Sequence, residues 1–309
     1  MQLSHPRTLV VLAGPTASGK TDLGIWLAKA FRTEILSADS RQCYKQLDIG
    51  VARPSSEELR QVPHHFIDSH SIHETVNAGI YAQYGLRKLE ALFKDHAVVV
   101  AVGGTGLYIK ALTQGIDAMP ATPPQIREAI IQQYHLGGLP WLQATIAKED
   151  PVFWQQAEQM NPQRLMRALE FIRTTGSSIT QFRKNQKQTR DFKVIYIALD
   201  LPREILYNRI NQRVDMMLEQ GLEKEVRDLY SFRHLNALQT VGYKEWYPYF
   251  EKQTDLISVK ETIQRNTRHY AKRQLTWFKK QEDFNWFSPA DKENILSFIK
   301  SQLDGPGSI

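Results

Sequence analysis

Cysteine is almost missing from this chain: Cys43 is the only one in 309 residues. An internal disulfide is excluded, as is a zinc site built on several thiolates, and a reducing, cytosolic setting is expected. No apolar run reaches the roughly 20 residues of a membrane-spanning helix, so no membrane partner is expected. The apolar run after Arg7 is too short for a secretory leader. Internal repeats and low-complexity tracts are lacking as well. An acidic excess is also missing: 39 Lys and Arg stand against 33 Asp and Glu, a formal net charge of +6. That balance suits a nucleic-acid partner without demanding one.

What is present is ordinary globular material, 42% hydrophobic and 23% charged, long enough for one large domain or two smaller ones. TLVVLA (Thr8 to Ala13) reads as a buried strand, and EILSA (Glu34 to Ala38), AVVVAV (Ala97 to Val102) and KVIYIAL (Lys193 to Leu199) as three more. Helical spacing follows over Thr21 to Phe31, Tyr81 to Phe93 and Leu107 to Leu112. Strands alternating with helices predict an α/β fold, a parallel sheet flanked by helices on both faces. From a proline-rich hinge near Pro120 to Arg190 the spacing is helical throughout, which predicts an all-helical insertion over 120–190. The core is then expected at 1–119 and 191–304, helical to its end after Asp200, with a disordered tail at 305–309.

Gly14-Pro15-Thr16-Ala17-Ser18-Gly19-Lys20-Thr21 follows the first strand and opens the first helix. This is the P-loop pattern in its proper context. Curled backbone amides and the helix N-terminus attract an anion, Lys20 reaches its oxygens, and the Thr21 hydroxyl suits Mg²⁺. A kinase or NTPase of this kind also places a metal-holding acid after an apolar strand. Here AVVVAV ends in Gly103-Gly104-Thr105 with no acid. Asp39 closes the second strand. In an open parallel sheet it faces the same crevice as the phosphate loop, as metal holder or general base, or else it caps a following helix.

Positive charge is clustered. Arg164, Arg167, Arg173, Arg183, Lys184, Lys187 and Arg190 oppose one acid, Glu170. Lys260, Arg265, Arg268, Lys272, Arg273, Lys279 and Lys280 are interleaved with Tyr270, Trp277 and Phe278. Phosphate contacts need such clusters, and unstacked bases favour aromatic platforms. A solvated helix face is the plainer reading of each run. Trp277 and Phe278 also read as packing residues, Cys43 as a small buried one, and the adjacent His64 and His65 point to opposite sides of an extended segment.

GPTASGKT, SADSRQCYKQLDIG, VGGTGLYIKAL, RALEFIRTTG and NTRHYAKRQLTWF occur in that order and together resemble the tRNA dimethylallyltransferase family from about Leu9 to Phe278. The resemblance implies a P-loop NTPase-like fold and transfer of a dimethylallyl group from dimethylallyl diphosphate. The acceptor would be N6 of the adenosine 3′ of the anticodon (position 37) in tRNA. It further implies that Gly14 to Thr21 hold the diphosphate with Mg²⁺, that Asp39 is the general base, and that Thr105 fixes the adenosine. Arg213 would stabilise the leaving group, with Arg209 one turn away as the alternative. The tRNA anticodon stem-loop would meet Asp39, Ser40, Arg41, Gln42, Thr105, Arg127, Gln163, Arg164, Leu165, Met166 and Arg167. A single cysteine leaves no room for the zinc finger of eukaryotic relatives, so a bacterial type, expected as a monomer, fits. Val51-Ala52-Arg53 departs from the family's common Thr-Ala-Lys, losing a hydroxyl and keeping a charge. The rival readings are prenylation of free AMP or ATP, a small-molecule kinase, and a non-catalytic RNA-binding protein.

Overall fold

The computed structural model describes residues 7–117, 119–182, 187–281 and 283–304. The expected disordered tail and the basic residues Arg183 and Lys184 lie outside them. The chain divides into two compact units, residues 1–114 with 188–309, and residues 115–187.

The larger unit contains β1 (Thr8–Ala13), α1 (Lys20–Ala30), β2 (Ile35–Ser37), α2 (Ser56–Gln61), β3 (His64–His65), α3 (Ala78–Leu92), β4 (Val98–Gly103) and α4 (Gly106–Gln114). The smaller unit holds α5 (Pro124–Glu149), α6 (Pro151–Trp154), α7 (Pro162–Thr175) and α8 (Ile179–Phe182). The larger unit then resumes with β5 (Lys193–Leu199), α9 (Arg203–Glu219), α10 (Leu222–Asp228), α11 (Tyr247–Phe250), α12 (Leu256–Lys279), β6 (Asn285–Phe287) and α13 (Lys292–Leu303).

The six strands form one sheet in the order β3-β2-β4-β1-β5-β6, parallel at every pairing. Both faces are covered, so the central strands are apolar without alternation. Val10, Leu12, Val98, Val100, Ile195 and Ile197 share a core with Leu23 and Leu27 of α1 and with Ile295 and Ile299 of α13. At β2 the two faces separate residue by residue. Ile35 packs with Ile25 and Ala28 of α1, while a Cβ at Gly85 of α3 would meet Leu36 at 3.4 Å and Leu112 at 2.7 Å. Register brings Ala13 level with Gly103, and Ser37 beside Val102. The carboxyl ends of β2, β4 and β1 therefore lie side by side.

Two strands escaped the sequence reading. β3 is two residues long, and β6 interrupts the region after Asp200 that was expected to be helical to its end. Each is a short edge strand, too brief for its period to register. Where the chain leaves and rejoins the larger unit, the Gln188 amide donates to the Gln114 carbonyl at 2.7 Å.

In the helical unit, Ile130, Leu142 and Ile146 of α5 pack with Leu165, Ala168 and Leu169 of α7. α5 is two helices meeting at Gly138, where φ is +60° and Pro140 follows, because proline cannot continue the preceding hydrogen-bond ladder. α7 has a complete set of end signals: Asn161 accepts from the Arg164 amide, Pro162 opens the first turn, and Gly176 closes the helix at φ +71°. Among the described residues no helix is long and apolar enough to cross a membrane.

Candidate active site

The phosphate loop curls between β1 and α1 through two left-handed positions, Ala17 at φ +64° and Gly19 at φ +88°. A non-glycine residue held there needs support. Ala17 receives it from Leu206 and Ile210 of α9 and Ala271 of α12, with which it forms a small buried cluster. Lys20 Nζ donates to the Pro15 carbonyl at 2.6 Å, folding the side chain back over the loop. Burial, with Arg213 nearby, lowers its pKa to about 7, against the opposing pull of Asp39. Ser18 Oγ is buried without a hydrogen-bond partner, so the loop holds an unmet polar group.

Both candidate arginines of α9 end at this loop, at different points. Arg213 Nη1 reaches Thr16 Oγ1 at 3.5 Å. Arg209 Nη1 lies 3.7 Å from where a Cβ on Gly19 would stand. Burial lowers the Arg213 pKa, and its high intrinsic value keeps it charged.

At the end of β2, Asp39 Oδ1 accepts from the backbone amides of Arg41 at 2.8 Å and Gln42 at 3.3 Å. No helix follows; the chain turns. The helix-cap reading of Asp39 is thus corrected to the capping of a turn, and only one of its two oxygens is used that way. Thr105, at the end of β4, is tied to the same place. Its amide donates to the Ala38 carbonyl at 3.1 Å, and its hydroxyl accepts from the Ser40 amide at 3.1 Å. Gly103 makes this approach possible, since a Cβ there would stand 2.2 Å from the Ala38 carbonyl oxygen.

The rest of the Asp39 segment is committed to architecture. Gln42 Nε2 donates to the Val51 and Ala52 carbonyls at 3.3 and 3.0 Å, and Arg41 holds Asn236 through its backbone and side-chain oxygens. Arg53, the charge kept in the departure from the family pattern, pairs with Asp48 at 3.0 Å and Asp68 at 3.4 Å. Cys43 is buried, and burial, then Asp39, push its thiol up to about 12. It is packing, not a nucleophile. His64 Nδ1 meets the Val62 carbonyl at 2.7 Å, and His65 pairs with Glu34.

In the helical unit, Arg167 Nη1 donates to Thr122 Oγ1 at 2.9 Å and to Glu170 at 3.3 Å. Arg127 lies 3.7 Å from the same buried carboxylate. Gln163 and Arg164 are exposed on the first turn of α7, with Arg164 paired to Glu158 at 3.0 Å. Leu165 is fully buried in the core of this unit, and Met166 is partly buried against the same core.

The basic clusters divide likewise. Arg173 is held by Glu149 through two bonds of 2.9 and 2.7 Å, and Arg190 ties down the carbonyls of Ala111 and Leu112 at the end of α4. Lys260 pairs with Asp215 at 2.8 Å and Lys279 with Asp200 at 3.1 Å. Arg265, Lys272, Arg273 and Lys280 remain on the exposed side of α12 and just beyond it. Phe278 is fully buried, and Trp277 covers Gly106 so closely that a Cβ there would stand 2.3 Å from its ring.

Three residues that organise their own unit were missed, Gln274 and Glu225 in the larger unit and Glu170 in the helical one. Gln274 joins the phosphate loop to Gly104. Glu225 accepts from the amides of Ile49 and Gly50 and from the Tyr243 hydroxyl, at 2.8, 3.0 and 2.5 Å. Glu170 gathers Arg127 and Arg167. Gln274 alone left a signal: it occupies the buried stripe Ala271, Gln274, Phe278 of α12, where helical spacing calls for an apolar residue.

The profile of the IPP transferase family matches residues 42–281. The tRNA dimethylallyltransferase of Cytophaga hutchinsonii is 46% identical over 295 residues, covering 96% of this chain and 97% of that protein. That of Christiangramia forsetii is 45% identical, covering 96% and 98%. The crystal structure of a Bacillus halodurans tRNA isopentenylpyrophosphate transferase superposes with a TM-score of 0.71 at 33% identity, covering 96% of this chain and 97% of that one. A eukaryotic dimethylallyltransferase acting on tRNA shares the fold, with a TM-score of 0.76 at 22% identity, covering 96% and 80%. The chain belongs to the IPP transferase family, with the tRNA dimethylallyltransferases as its relatives.

Proposed function

We propose that this protein transfers a dimethylallyl group from dimethylallyl diphosphate to N6 of the adenosine 3′ of the anticodon in tRNA, releasing diphosphate. The observation that carries the reading is one edge of the sheet, where the carboxyl ends of β1, β4 and β2 lie side by side. It unites a phosphate loop under Lys20 and Arg213 with a carboxylate, Asp39, whose charge is felt at Lys20. The names of the relatives, tRNA dimethylallyltransferases, support the same reading.

Charge accumulates on the diphosphate as the allylic C–O bond breaks. Lys20, the amides of the loop and the arginines at Thr16 and Gly19 are donors fixed in advance for that charge. Asp39 Oδ1 is occupied by the turn, which leaves Oδ2 to accept the proton that N6 loses as the new N–C bond forms. Thr105, locked to the end of β2, orients the adenine beside it. The adenine must leave the anticodon-loop stack to arrive there.

Among the described residues no group of three or more His, Cys, Asp or Glu side chains could hold a metal ion. Mg²⁺ bound to diphosphate needs no such cage, since it takes phosphate oxygens, water and one or two protein oxygens. The Thr21 hydroxyl on the first turn of α1 suits that part, and Ser18 Oγ of the same loop is buried without a partner. Bound there, the ion would offset charge on the departing diphosphate. Arg127, Arg164 and Arg167 in the helical unit, and Arg265, Lys272 and Arg273 on α12, would meet tRNA phosphates.

Incubation with unmodified tRNA, Mg²⁺ and labelled dimethylallyl diphosphate, with AMP and ATP as parallel acceptors, tests the reading. Label mapped to the adenosine 3′ of the anticodon is expected. Label in AMP or ATP alone would move the protein to free-nucleotide prenylation, and phosphoryl transfer from ATP with no use of the allylic substrate would make it a kinase.

A further inference from the structure

Gln274 is buried on α12, 170 residues from Gly104 and 258 from Thr16, yet it bonds to both. Its Oε1 accepts from the Thr16 amide at 2.9 Å, and its Nε2 donates to the Gly104 carbonyl at 3.0 Å. Thr16 belongs to the phosphate loop after β1; Gly104 precedes Thr105 in the loop after β4. One planar amide thus spans the two loops, with its two ends in opposite roles. The packing is close: a Cβ on Gly104 would stand 2.2 Å from Gln274 Nε2. The same face of α12 adds two more supports. Tyr270, four residues earlier, reaches the Thr105 side chain, and Trp277 lies over Gly106. Side chains at i, i+4 and i+7 share one helix face, so a single rigid helix carries all three.

We propose that Gln274 is a positioning residue for prenyl transfer: it fixes the separation between the loop that holds the diphosphate and the loop that holds the acceptor adenosine. This rests on the function proposed above. Its bond also commits the Thr16 amide to the protein, so the amides left for the diphosphate begin at Ala17. Thr16 is then held from two sides, by Gln274 at its backbone and by Arg213 at its hydroxyl. Transfer requires the allylic carbon and N6 to meet in line at near-contact distance, and a shift of about 1 Å in such a pair costs on the order of a hundredfold in rate. Neither substrate needs that separation in order to bind alone.

The test is Gln274→Met, of similar length with neither bond, and Gln274→Glu, of the same shape, which keeps the Thr16 contact and loses the donor to Gly104. Single-turnover rates are measured with both substrates saturating. Equilibrium affinities for dimethylallyl diphosphate and for tRNA are measured separately, and the folded fraction is counted by bound dimethylallyl diphosphate. The expected result for Gln274→Met is a transfer rate per folded molecule lower by about 100-fold, with each affinity within about threefold of the parent. Gln274→Glu is expected to lose at least tenfold in the same rate per folded molecule. Parental rates per folded molecule in both variants would overturn the proposal, leaving Gln274 a stabilising residue only. A loss confined to dimethylallyl diphosphate affinity would also overturn it, by assigning Gln274 to the shape of the phosphate loop. Absence of tRNA prenylation by the unsubstituted protein would instead remove the underlying function.

Discussion

Lys20 in the free protein has a pKa lowered to about 7, chiefly by burial and next by Arg213. A bound diphosphate places negative charge against Nζ, which favours the ammonium form, so the pKa with ligand lies above the value without it. The affinity for dimethylallyl diphosphate is therefore full below pH 7 and is lost as pH rises from 7 toward the ligand-bound pKa. At pH 8 only about one free molecule in eleven carries the Lys20 proton, so binding takes up about 0.9 proton from the buffer. Between pH 7 and pH 9 the dissociation constant rises about 50-fold. The ligand does not blur this window, because a phosphate group loses its last proton near pH 6. Titration calorimetry at fixed Mg²⁺, in two buffers of different ionisation heat, reads the uptake directly. Lys20→Met should bind weakly, with no uptake and a flat pH profile. An uptake below about 0.2 proton at pH 8, with a dissociation constant flat from pH 7 to 9, would refute the placement of Lys20 between Arg213 and the ligand.

Asp39→Asn retains an acceptor for the Arg41 and Gln42 amides and removes the base. Turnover should fall by about 10² to 10⁴ with tRNA affinity nearly unchanged; lost affinity at parental turnover would reassign Asp39 to binding. Gly103→Ala forces a methyl group to within 2.2 Å of the Ala38 carbonyl and should cost about 3 kcal/mol or more in denaturant unfolding; an unchanged midpoint would contradict the close approach of β2 and β4. Arg167→Ala should weaken tRNA binding and lower the slope of log affinity against log salt by about 1. An unchanged slope would take Arg167 off the contact surface.

Much of the architecture was legible because it is local. β1 and β5 begin and end where the sequence places them, since β1, buried throughout, is apolar along almost its whole length and the β5 run is apolar after Lys193. The phosphate loop was legible for the same reason: glycines, lysine and threonine at fixed offsets between a strand and a helix leave the backbone few alternatives. β6 was not legible, because three residues carry too little pattern and their pairing with β5 comes from across the fold. Within the run Gln163 to Arg167, the burial of Leu165 in the helical core was not legible from its position in a motif.

Composition, motif and order within the chain were enough to determine four of the six strands, the phosphate loop and the family resemblance, because each rests on residues close in sequence. Only the tertiary structure decided which charges are spent on architecture: Arg53, Arg173 and Arg190 look like binding residues in a string of letters and are tied to Asp48, Glu149 and the end of α4. It also decided that both Arg209 and Arg213 reach the loop, and that a glutamine 258 residues away closes on Thr16. Long-range hydrogen bonds depend on two directional partners brought together by the packing of everything between them, and no local pattern encodes that meeting.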